Sequence, residues 1–205
     1  QMDGRAFLAL VRPLLEAGDA DELVRVVRQR MTIASLCQHL LSIDIDVRRT
    51  ASMVLGYVGD LECVPCLVRA LRDSDEQVNR MAENSLLLLW FQGGSDAAGG
   101  AFQKGVRSFA REQYAQAIES FEKAIAIDPY FAEAHNQCAL AYYFLEQWRD
   151  SARRYQAAIR LAPAHFTAIA GLGHCYLEMG EYRSAVRCFK RALHINPRMT
   201  SLPRV

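Results

Sequence analysis

Three prolines fall 34 residues apart, at Pro129, Pro163 and Pro197, and their period governs nearly the whole second half of the chain. Four further columns keep the same phase: Tyr114, Trp148 and Tyr182; Gly105, Ala139 and Gly173; Phe121, Tyr155 and Phe189; Ala124, Ala158 and Ala192. A 34-residue period means one supersecondary unit repeated and stacked, because a single helix pair cannot bury its own apolar face. Each column has a packing reason. Small residues let two helices approach closely, and Ala117, Ser151 and Ala185 do the same on the second helix of each pair. The aromatics fill the gaps between pairs. Each proline ends its second helix, since the residue before proline avoids the helical region. Turns at Glu112-Gln113, Glu146-Gln147 and Gly180-Glu181 divide each unit in two.

This pattern resembles the tetratricopeptide (TPR) family over about residues 98–200. The third copy, Gly171 to Tyr176 through Tyr182 to Pro197, matches best; the first departs at Ser108, where the family usually has tyrosine. The resemblance implies that the first helix of each pair faces a concave peptide-binding groove. It places Phe102, Val106 and Phe109, then Asn136, Leu140, Tyr143 and Phe144, then Ala170, His174 and Leu177 on that surface. Aromatic anchors are frequent binding hot spots. In this reading Asn136 fixes a peptide backbone and His174 adds a pH-sensitive contact. Some relatives hold a terminal carboxylate in a clamp of Lys, Asn and Arg. The matching positions here are Phe102, Val106, Gln137, Thr167 and Gly171, none of which carries a positive charge. A chaperone-tail role of that type is therefore not expected.

The first half repeats at 31 residues: Asp44 with Asp75, Val47 with Val78, Ala51 with Ala82. The stretch from Asp46 to Ala51 and on to Asp73-Ser-Asp75 resembles the bacterial HEAT-like repeats of the phycobilin-lyase type. Asn79 stands where that family usually has arginine. Residues 4–16, 20–30 and 32–42 read as further helices, with Asp19 and Thr32 as caps. The expectation is an all-α helical repeat solenoid, with a HEAT-like domain over residues 1–92, a glycine-rich linker over 93–100 and a TPR domain over 101–205. Four glycines in those eight linker residues argue for a turning connection. Few residues follow Pro197, which suggests an uncapped apolar end, a chain cut from a longer one, or self-association through the open end.

The six cysteines lie within helical apolar patterns and read as buried free thiols of a reducing compartment, which favours the cytoplasm. Cys63-Val-Pro-Cys66 lacks the second pair that zinc needs and the βαβ context of a redox motif, so its cysteines read as small packing residues. His39, His135, His165, His174 and His194 show no ligand spacing, and no nucleophile elbow or phosphate loop occurs. No catalytic residue, cofactor or metal is expected, and no apolar run is long enough to cross a membrane. Residues 1–93 hold 10 Arg/Lys against 13 Asp/Glu (−3) and residues 94–205 hold 14 against 10 (+4), short of a nucleic-acid binder's balance. Arg149, Arg153, Arg154, Arg183, Arg187, Lys190 and Arg191 nevertheless gather on the second helices, where an acidic partner or nucleic acid is the alternative to a solvated face. The leading expectation is a non-catalytic scaffold or adaptor that takes a peptide or helical segment of another protein. An accessory role like that of HEAT-like phycobilin lyases is a further alternative, carried by the resemblance alone.

Overall fold

Polar side chains at 3-residue spacing open most helices of the first half, by accepting from backbone N–H groups that no helical carbonyl reaches. The computed structural model describes residues 2–199 and 202. Asp3 caps α1 (Gly4–Ala17), Asp19 caps α2 (Ala20–Arg30), and Thr32 with Ser35 forms a capping box on α3 (Ile33–His39). Asp44 and Asp75, one repeat apart, cap α4 (Ile45–Val58) and α6 (Glu76–Phe91). A 3-10 turn, Leu61–Cys63, leads into α5 (Val64–Ala70). Helix α4 is the hub: α1, α2, α3 and α6 all pack on it. Its Val47, Ala51, Val54 and Leu55 are fully covered, as are Val78 and Ala82 of α6.

Two bidentate pairs hold the 31-residue repeats in register. Arg48 donates to both carboxylate oxygens of Asp73 at 2.8 and 3.0 Å, and Arg49 to both of Asp75 at 2.9 and 2.6 Å. Arg48 also donates to the carbonyls of Ser42 and Ile43, which precede its own helix. Asn79 occupies the equivalent place one repeat later, and its amide donates to the carbonyls of Ala70 and Asp73 at 3.0 and 2.9 Å. Asp73 is 31 residues beyond Ser42. The departure from arginine thus keeps the loop-tethering function and gives up only the ion pair.

The second half is three helix pairs: α7 (Asp96–Ala110) with α8 (Tyr114–Ile127), α9 (Ala132–Phe144) with α10 (Trp148–Leu161), and α11 (Phe166–Glu178) with α12 (Tyr182–Ile195). The second helices end two residues before Pro129, Pro163 and Pro197. A Cβ on Gly105 or Gly173 would lie 2.6 Å from the ring of Phe121 or Phe189, so these columns are close-approach sites. The turn column takes the left-handed conformation in every copy: φ is 60° at Glu112, 58° at Glu146 and 76° at Gly180. Only the third copy has glycine there; each glutamate bears a cost of roughly 1 kcal/mol.

Two expectations need correction. Residues 93–100 are not a connection throughout, because α7 begins at Asp96 and includes Gly99 and Gly100. Burial of Ala98 and Phe102 offsets the poor helix propensity of glycine, and the Asp128 carboxylate fixes the entry by accepting from the Ser95 N–H at 2.8 Å. Nor is the last repeat bare after Pro197. Met199 and Leu202 pack on the cluster of Ile169, Ala185, Phe189 and Ala192, where an uncapped apolar end was expected. The chain forms two compact units, Gln1–Gln92 and Gly93–Val205.

Candidate functional site

The first helices of the second unit touch one another, α7 to α9 and α9 to α11, in addition to packing on their own second helices. Helices that approach along one side and spread along the other curve the stack, which puts α7, α9 and α11 on the inner face. Three of the ten residues expected to line it do not. Phe102, Asn136 and Ala170 form one 34-residue column and are 1%, 7% and 5% exposed. Phe102 packs on Phe121 and Phe131, and Asn136 spends its amide on Glu133 at 3.2 Å. A residue's step around a helix is about 100°, so the next column turns away from that core: Gln103 is exposed and Gln137 half-buried, while Gly171 lies close against the Tyr155 ring.

The other seven lie on the open face. Val106, Leu140 and His174 are half-buried, as are Phe109 and Tyr143, while Phe144 and Leu177 are 51% and 36% exposed. Ring contacts join the three pairs into one surface. Phe144 meets Phe109 at 5.7 Å and stacks on Tyr114 at 5.0 Å. Tyr143 packs on Trp148 at 4.8 Å and lies edge-on to His174 at 6.5 Å, and its hydroxyl donates to Glu178 at 3.2 Å. His174 in turn meets Phe189 at 5.0 Å. Burial lowers His174's affinity for a proton, with Glu178 opposing it, so the ring is neutral at pH 7.

Beside this apolar strip lies a polar knot that the sequence patterns do not reveal. Glu133 is 6% exposed. One carboxylate oxygen accepts from Asn136 and from Gln137, the latter at 2.6 Å; the other meets His165 Nε2 at 2.8 Å. His165 Nδ1 accepts from the Ala168 N–H at the start of α11, which makes Nε2 the donor to Glu133. His165 stands at the N-cap of α11. A buried glutamate occurring in one copy leaves no periodic trace.

The cysteines depart from the all-thiol expectation. Cys37 on α3 and Cys66 on α5 are joined as a disulfide, with Cα atoms 5.9 Å apart, within the span such a bond bridges. Cys63, Cys138, Cys175 and Cys188 are free. Burial pushes the Cys63 and Cys175 thiols up to about 11, which makes them poor nucleophiles. Two bonded cysteines weaken the argument for a reducing compartment. Among the described residues no three His, Cys, Asp or Glu side chains gather as a metal would require, and no helix is long and apolar enough to cross a membrane.

Family models match three segments: a TPR repeat over residues 105–145, a tetratricopeptide repeat over 167–199, and HEAT repeats over 33–122. The chain carries HEAT repeats followed by TPR repeats. The HEAT match runs on through α7 into α8, where it overlaps the first TPR match; both models describe antiparallel helix pairs, and this pair satisfies either. Among known proteins, the anaphase-promoting complex subunit 3 of Schizosaccharomyces pombe is 32% identical over 87 residues, 42% of this chain and 13% of that subunit. A TPR repeat-containing protein of Rhizobium etli is 23% identical over 126 residues, 62% of each chain. This chain thus spans under two thirds of either relative. The first TPR of Spaghetti (RPAP3), solved with an HSP90 peptide, matches at a TM-score of 0.50 and 22% identity, covering 50% of this chain and 82% of that one. That likeness carries the fold of the TPR unit.

Proposed function

We propose that the TPR unit is a non-catalytic docking module whose inner face takes an extended or helical peptide segment of another protein. The observation that supports it best is the continuous strip from Phe109 through Phe144 and Tyr143 to His174, with Phe144 and Leu177 open to a partner. A solenoid commits its core to stacking and leaves the chemistry of its long inner surface to individual side chains. Rigid aromatics there give contact area at little entropic cost. The structural neighbour with a bound HSP90 peptide is a module of this fold engaged in such binding. The ligand for this chain differs in one respect. The carboxylate of Glu133 lies behind Gln137, so a peptide's terminal carboxylate would meet like charge where clamp-type relatives offer cations. An internal segment with apolar anchors and free N–H donors suits the strip.

Capture from source lysate by wild type and by a Tyr143→Arg/Phe144→Glu variant, with and without nuclease, tests the reading. The expected result is a protein partner lost by at least ~10-fold in the variant and indifferent to nuclease, since each aromatic anchor contributes about 2 kcal/mol or more. Capture equal in both would refute the groove as the docking surface, and loss with nuclease would point to nucleic acid.

A further inference from the structure

The second and third pairs of the TPR unit keep their charges apart. From Ala132 to Gln147 and from Phe166 to Glu181, the stretches that form α9 and α11 with the turns after them, there are four glutamates and no lysine or arginine. The second helices α10 and α12 carry eight Arg and Lys against one Asp. The inner face between α9 and α11 is therefore acidic, while the helices behind it are basic. Helix α7 differs, with Lys104 and Arg107, so the acidic half of the face lies toward α11.

Glu178 brings that charge to the aromatic strip. It is exposed, follows Leu177, and stands one turn beyond His174. One of its carboxylate oxygens accepts from the Tyr143 hydroxyl of the neighbouring repeat at 3.2 Å. That hydroxyl is a neutral donor, and the His174 ring nearby is neutral at pH 7. No lysine or arginine of the chain pairs with Glu178 among the described residues. Two further sources deepen the negative potential. The last turns of α9 and α11 hold no basic residue, so the partial negative charge of those helix ends is not offset. Farther back on α9, Glu133 accepts from Asn136, Gln137 and His165, none of them a cation.

An occupant matched to this stretch needs apolar area for Phe144 and Leu177, which are 51% and 36% exposed, and a positive charge for Glu178. Nucleic acid and acidic peptides bring the wrong sign. An ammonium would answer the charge alone. A guanidinium also lies flat on an aromatic ring while it forks a carboxylate. Both partners are in place, since Tyr143 reaches Glu178 and lies edge-on to Phe144 at 6.2 Å.

We propose that the inner face of the TPR unit selects partner segments that carry an arginine beside an aliphatic or aromatic residue. The guanidinium pairs with Glu178 against Tyr143, and the apolar side chain lies on Phe144 and Leu177. This inference rests on the peptide-docking reading and names the ligand class for it, with Glu178 as the residue that sets specificity.

Random peptides displayed with both ends joined to a carrier, and selected on the full chain, test it. The selected sequences are then made as acetylated, amidated peptides for calorimetry. Arginine beside an apolar residue is expected among them, with Asp and Glu depleted. Citrulline, which keeps the shape of arginine without its charge, should weaken binding to wild type about 5-fold, the upper range of an exposed ion pair. Glu178→Gln should bind the arginine and citrulline peptides alike, and selection on Glu178→Arg should turn toward Asp and Glu. Selected peptides without a basic bias, or a citrulline penalty equal in wild type and Glu178→Gln, overturn the proposal. If such peptides still lose binding in Phe144→Glu, the docking reading stands without it. Peptides indifferent to Phe144→Glu, or none selected, overturn the docking reading and this inference together. Self-association of the chain that Glu178→Arg disperses would give the face to the basic helices of a second copy, and also overturns the proposal.

Discussion

Arg48→Ala lowers the stability of the HEAT unit by about 3 kcal/mol at pH 7. The side chains of Arg48 and Asp73 are only 12% and 13% exposed, so solvent screens the pair little. Removing the guanidinium loses four hydrogen bonds, two to Asp73 and two to the carbonyls of Ser42 and Ile43. It also leaves a carboxylate buried without its cation. The pH dependence has a definite sign. Burial alone would raise the Asp73 carboxyl; the Arg48 hydrogen bonds, with the Asp75 N–H, outweigh it and hold the group below its ordinary 3.8. A depressed carboxyl contributes stability above that ordinary value and loses it as pH falls through the folded one. The variant's penalty should therefore shrink below about pH 4, where acid neutralises the orphaned carboxylate. Urea melts at pH 7 and pH 3, with amide exchange in α4 and α6 to locate the loss, measure it. A penalty below about 1 kcal/mol at pH 7, or one unchanged at pH 3, contradicts the role given to the pair.

The second large effect is Phe121→Ala, which should cost the TPR unit about 3–5 kcal/mol. Phe121 is fully buried, lies 5.7 Å from Phe102 ring to ring, and fills the space that Gly105 leaves open. Since Gly105 supplies no side chain and α8 is fixed by α7 and α9, little can collapse into the cavity. Phe121→Leu, which retains most of the volume, should cost about 1–1.5 kcal/mol. Thermal unfolding followed by exchange in α7 and α8 separates the two. Equal costs for the variants would mean that Gly105 and Phe121 do not form a shape-matched pair.

Period carried most of the fold. Gly105, Phe121, Ala124 and Pro129 recur because every copy solves the same packing problem at the same position, and the turns at Glu112, Glu146 and Gly180 share one backbone conformation for that reason. The strip proposed for docking was legible only in part. Val106, Leu140 and His174 lie half-buried on the first helices, whereas Phe102, Asn136 and Ala170, one turn earlier, are buried. Apolar identity does not distinguish those neighbours: Phe102 suits a core as well as an anchor. Contacts made once were silent. Glu133 with His165 and Cys37 with Cys66 depend on which elements meet in space, and no repeat advertises them. Asn79 shows the converse, a departure from the family pattern that keeps the tethering of the loop carbonyls.

In the proposed mode, partners dock on the inner face of the TPR unit through its aromatic strip. The most direct measurement places a photo-crosslinking residue at Leu140, on that face, or at Arg149, on an exposed turn of α10, and compares the adducts formed in source lysate. Adducts to a discrete protein from position 140, absent from position 149 and suppressed by Phe144→Glu, are the predicted result. Adducts from position 149 alone, or a 140 adduct that survives Phe144→Glu undiminished, would contradict the account.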